Sequence, residues 1–218
     1  VTMKISHYLL TSLLLAIITS FSHAQSSSND AVVAMQKQWA IANYTLVDKE
    51  QDKAFLTLIA ASDDYVNQYK ESAEVYISRG IINSTYAGVN GGLGALKYAK
   101  AAKKDFETAL EIDPTALQGS AYTSLGTLYN GVPGWPISFG DDDKAGELLE
   151  KALTTNPTGI DSNYFYAKYL MGEKEYTKAR QYLQTALAAP ARNGRELADE
   201  GRIGEINAAL EKIAKKLK

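Results

Sequence analysis

The sequence predicts an all-α protein built as a solenoid of stacked helix pairs. Three observations point there. Apolar residues recur at helical spacing from about residue 31 to the end, and the two-residue alternation of strands is missing. A phrase of two alanines, one large apolar residue and a following proline returns three times at matching offsets. The last of these units, about 160–191, is close to a period of about 34 residues.

The repeated phrases are Ala102, Phe106, Ala109 with Pro114, then Ala145, Leu149, Ala152 with Pro157, then Ala179, Leu183, Ala186 with Pro190. Small alanines let two helices approach closely, and a proline cannot continue the helix. Upstream, Tyr122, Leu125, Gly126 and Tyr129 match the first helix of the tetratricopeptide repeat, with Tyr in the place of Trp. Tyr76 with Gly80, and Tyr166, Ala167 and Leu170, match it more loosely. The predicted architecture is therefore a tetratricopeptide-repeat α-solenoid with about three clear repeats. A degenerate helix pair over about 31–46 and 49–69 precedes them. A capping helix over about 195–217 follows, with Ile203, Ile206, Leu210, Ile213 and Leu217 as its apolar stripe.

Two units are longer than the repeat requires. Gly80 to Ala102 spans 22 residues and Gly126 to Ala145 spans 19, where an ideal repeat has about 12. The first insertion, 87–94, is glycine-rich. It lacks the Gly-Lys-Ser/Thr of a phosphate loop and no strand precedes it, so it reads as a flexible connection with a helix starting near Gly92. The second, 129–143, holds Pro133, Trp135, Pro136 and Phe139 before three aspartates. Asp141 or Asp142 can cap the next helix, and the calcium spacing of an EF-hand is absent. Trp135 is either a plug over the helix groove or a ligand- or partner-facing residue.

The first 24 residues read as a cleaved secretory signal. Lys4 opens it, an apolar run over 8–18 follows, and Ser22 and Ala24 supply small residues before Gln25. The run is shorter than the roughly 20 residues of a membrane span. Residues 25–30 read as a flexible polar tail and 31–218 as one domain. The expected location is the periplasm. Cleavage removes Lys4, His7 and His23, leaving 194 residues with 22 basic against 25 acidic side chains and no His or Cys. That composition lacks a histidine general base, thiolate or histidine metal ligands and a basic footprint for nucleic acid. No catalytic residue, metal ligand or cofactor is assigned, and no enzyme activity is expected. Lys97, Lys100 and Lys104 read as a solvated helix face, and Asp199, Glu200 and Arg202 as surface pairs.

The concave face of a repeat stack is built from first helices. By spacing, its candidates are Ile77, Ile81 and Ser84 in unit one, Thr123, Thr127 and Asn130 in unit two, and Tyr164, Lys168 and Met171 in unit three. Equally, Ile77 and Ile81 can be covered by the N-terminal pair. The Lys and Asn positions of a peptide-carboxylate clamp carry Ile77, Ile81, Ser124, Asp161 and Phe165 instead, so that clamp is not predicted.

The runs VPGWPISFGDDDKAGELLEKAL, GIDSNYFYAKYL and RELADEGRIGEI resemble the TatT family over about residues 70–210. These are accessory components of periplasmic tripartite (TRAP) transporter systems and their small repeat relatives. The resemblance implies a helical periplasmic protein, in some members a trimer with a central pore. It also implies association with a solute-binding protein and with hydrophobic ligands. The chain has no lipid-attachment cysteine, unlike some members. The expected function is a periplasmic protein-interaction module that binds such a partner or itself as a homo-oligomer. The other expectation is a carrier of a small apolar ligand in the groove or an oligomeric pore.

Overall fold

The computed structural model describes residues 28–218, the side chain of Leu93 excepted. The signal over 1–24 lies outside the described residues. Nine helices are present among them: α1 (28–44), α2 (Asp48–Gln68), α3 (Ala73–Asn90), α4 (Gly92–Ile112), α5 (Ala116–Gly131), α6 (Asp142–Thr155), α7 (Ile160–Gly172), α8 (Tyr176–Leu187) and α9 (Glu196–Lys216). No strand occurs among the described residues. Residues 28–30, expected in the polar tail, are already helical, because Ala31, Val32 and Met35 just beyond them bury against α2 and α3 and carry the turn with them.

The pairs α3/α4, α5/α6 and α7/α8 are the three repeats, α1/α2 is the N-terminal pair and α9 caps the stack. Their shared sequence phrase has one structural meaning. Ala102, Phe106 and Ala109 are wholly buried, as are their counterparts around Leu149 and Leu183. Each large residue fills the space against the first helix of its own unit, and the alanines allow the contact. Gly80 and Gly126 complete it from the other side. A Cβ on Gly80 would stand 2.5 Å from the Phe106 ring, and one on Gly126 2.8 Å from Leu149 Cγ. The helices end at Ile112, Thr155 and Leu187, just before the three prolines.

First helices α3, α5 and α7 pack on one another and α7 packs on α9, which makes them the inner layer. An ion-paired strut ties α2, α3 and α4 beneath it. Arg79 donates to both oxygens of buried Asp105 at 2.9 and 2.6 Å and to Asp63 at 3.0 Å.

The extra residues of unit one are not a loop. They lengthen α3 to 18 residues and α4 to 21, with Gly91 alone between them at φ 62°, a left-handed backbone that favours glycine. Lys97, Lys100 and Lys104 lie exposed on α4, as expected of a solvated face. The inward stripe of α9 is rotated from the expected one. Ala198, Arg202, Ile206, Ala209 and Ile213 are buried, whereas Ile203 and Leu217 are about two-fifths exposed. The last helix must meet both α7 and the N-terminal pair, and that sets its rotation.

Candidate functional site

The concave face is partly covered. Leu197 and Ala198 of α9 pack into the apolar cluster of α1, α2 and α3 that contains Met35, Trp39 and Phe55. Close to them, Gly201 faces the Tyr44 ring of α1, where a Cβ would stand 2.4 Å from two ring carbons. The first and last helices thus meet, and the groove becomes a chamber of about 900 Å³.

Its walls follow helical spacing. α3 contributes Ile81, Ser84, Thr85 and Gly88. α5 contributes Ser120, Thr123, Ser124 and Thr127, whose hydroxyl donates back to the Thr123 carbonyl at 2.8 Å. Asp161, Tyr164 and Phe165 come from α7. The lengthened start of α4 adds Ala95, Leu96 and Ala99, and α1 adds Trp39, Asn43 and Tyr44. Trp39 is held by its Nε1–H, which donates to Thr85 Oγ1 at 2.9 Å. Val132, Pro133 and Ile137 of the second insertion form the rim.

The α9 end of the chamber is charged. Arg202 rests against the edge-to-face Tyr164–Phe165 pair, 4.5 Å from each centroid, a cation–π arrangement in a buried setting. Its Nε donates to Asp161 Oδ1 at 2.8 Å and its Nη1 to Glu205. Arg192 donates to Asp161 Oδ2 at 2.6 Å and to Asp199 Oδ1 at 2.7 Å. Burial raises the Asp161 pKa, but Arg202 and then Arg192 outweigh it and hold the carboxyl at about 2. Burial pushes the nearby Tyr44 hydroxyl up to about 12, opposed by Arg202. Arg195 also lines this end, yet its side chain makes no hydrogen bond or ion pair among the described residues, and its Nε is buried.

The structure sorts the predicted site residues into three groups. Ile81, Thr127, Tyr164 and Pro133 line the chamber. Ile77 does not: it is fully buried one turn away among Ala73, Ala109, Ala116 and Ala121, covered by α4 and α5 rather than by the N-terminal pair. Lys168, one turn along α7 from Tyr164, is exposed and does not line the chamber, and Asn130 points away to donate to Asp142 Oδ1 at 3.0 Å. Trp135 is no plug. It is 89 % exposed at the tip of the insertion, beside exposed Pro136 and Ile137. Phe139 anchors that loop instead, edge-on to Tyr129 at 5.5 Å. Asp141 is the expected cap, accepting from the Lys144 N–H at 3.0 Å.

Arg202 and Asp199, expected as surface pairs, are buried in the charged cluster. The sequence carries a signal for this: a charged residue at position 202 of the spacing 198, 202, 206, 209, 213 belongs on an apolar face. No such signal marks Arg195. No group of three His, Cys, Asp or Glu side chains is placed to hold a metal among the described residues, and no helix there is long and apolar enough to cross a membrane.

No family model and no curated protein matches the chain. Solved structures do. MamA is similar over 86 % of this chain and 95 % of its own, at 19 % identity and a TM-score of 0.43. PilF of Pseudomonas aeruginosa is similar over 88 % of this chain and 92 % of its own, at 16 % identity and a TM-score of 0.36.

Proposed function

We propose that this chain is an exported tetratricopeptide-repeat binding protein, without catalytic activity, that takes a small apolar ligand into its concave chamber. The observation that carries this reading is the contact of α1 with α9, which roofs the groove. Its volume of about 900 Å³ lies within the range of small-molecule sites. The walls are mostly aliphatic, aromatic and small-hydroxyl, with polar groups gathered at one end, which is the usual make-up of such a site.

A second reading concerns the rim. Pro133 and Ile137 line the chamber while Trp135, between them in sequence, stands in solvent. An exposed tryptophan on an anchored loop is the kind of residue that dominates protein interfaces. We therefore also propose that this rim meets a protein partner. The resemblance to TatT proteins favours export, a solute-binding protein as that partner, and transfer of the ligand across the rim.

The test uses the purified chain 25–218 and the neutral fluorophore N-phenyl-1-naphthylamine. Saturable uptake is expected in the parent and in Trp135→Asp, and at least a tenfold loss in the double variant Ala95→Trp, Thr127→Trp, which fills the chamber from two walls. Uptake unchanged in the filled variant, or absent from the parent, sinks the chamber reading.

A further inference from the structure

We propose that the chamber's ligand is an amphipathic monoanion, an apolar body ending in a carboxylate, and that Arg195 is the group that receives its head. The inference rests on the chamber being a ligand site. Two cations line the chamber, Arg195 and Arg202, and their situations differ. Arg202 is engaged by Asp161 and Glu205 and rests against two rings. Arg192, behind it, is engaged by Asp161 and Asp199. Each carboxylate of the cluster thus has its arginine, and Arg195 is left over.

Asp199, one turn along α9 from Arg195, would be the natural helical partner. It instead accepts from the backbone N–H and the Nε of Arg192 at 2.9 and 2.7 Å. A guanidinium carries five donors in a planar fork that fits a carboxylate bidentately. The Nε of Arg195 is buried without an acceptor, which is costly, and a half-buried fork of this kind is one where a ligand can supply the acceptor. Burial, and then the Arg192 charge, lowers the Arg195 pKa, but arginine stays protonated at neutral pH. The formal charges of the cluster cancel, three against three, so an anion meets no net repulsion on approach. The rest of the lining mixes Ile81, Leu96, Leu128, Val132 and Ile137 with small hydroxyls, which suits an alkyl or ring body and offers it no further charge.

Decanoate and 1-decanol share a chain and differ in the head, so displacement of N-phenyl-1-naphthylamine by each at pH 7.5 isolates the head. Arg195 gives up no hydrogen bond when replaced, and matched melting curves check that the Arg195→Gln and Arg195→Lys variants fold. The parent is expected to bind decanoate at least about tenfold more tightly than decanol, the scale of one charge-assisted hydrogen bond. Arg195→Gln is expected to weaken decanoate alone and abolish the preference, and Arg195→Lys to keep part of it. Equal affinities in the parent, or an undiminished preference in Arg195→Gln, overturn the inference and leave the chamber standing. Failure of the probe and both ligands to bind overturns the chamber reading beneath it.

Discussion

Arg202 on α9 and Arg195 just before its start show how position decides what an arginine does. Arg202 faces Asp161 from a setting that is only 8 % exposed, while the Asp161 side chain keeps 29 % of its surface, so the pair is partly desolvated. The folded-state pKa of Asp161 is depressed to about 2 from 3.8. Stability from this carboxylate is therefore present in full above the unfolded value, near pH 4, and is lost as pH falls through about 2. By pH 2.5 the loss should approach about 1.5 kcal/mol. Urea unfolding at pH 5 and pH 2.5 checks it. The parent should lose that amount more than Asp161→Asn, which starts less stable; equal losses would mean that Asp161 does not carry the acid sensitivity.

At the scale of elements, the repeat phrase is a packing device used three times. Leu149 is buried between two alanines on α6 and against Gly126 of α5. Truncation to alanine should cost about 2–5 kcal/mol, because neighbours tied into adjacent repeats collapse only in part. Denaturant midpoints of Leu149→Ala and of the equivalent Leu183→Ala should fall together; a loss under about 1 kcal/mol at either would show that its unit is packed differently. The offsets of Ala, Leu or Phe, Ala and Pro were legible in the sequence because they are local: each phrase packs within its own helix pair. The extra residues of unit one were legible in number and position but not in form. A glycine-rich stretch favours a turn, yet most of it became helix, because α3 and α4 gain from continuing their mutual contact up to Gly91.

The whole molecule is shaped by one long-range contact, Gly201 against Tyr44. Two glycines on α9 separate this effect from helix propensity. Alanine at Gly201 would meet the Tyr44 ring, whereas alanine at Gly204 meets nothing within 4 Å. Propensity favours both changes by up to about 1 kcal/mol. Gly204→Ala should therefore hold or raise the melting temperature without altering N-phenyl-1-naphthylamine uptake. Gly201→Ala should lower it and weaken uptake severalfold as α9 shifts off α1. If the two variants behave alike, the closure does not shape the chamber.

The sequence by itself determined the all-α class, the count and order of the repeats, the helix ends at the prolines and an aspartate cap at 141 or 142. Each of these follows from contacts within about one repeat, where spacing along the chain is spacing in space. It also placed Ile81, Thr127 and Tyr164 on the concave face by period alone. Only the tertiary structure decided that the face is roofed, that Ile77 is core, that Trp135 is exposed and that α9 turns Arg202 and Arg195 inward. The roof and the inward turn of α9 depend on how far the stack curves before its ends meet. That curvature is the sum of small rotations from one repeat to the next, and no local pattern in the sequence records it.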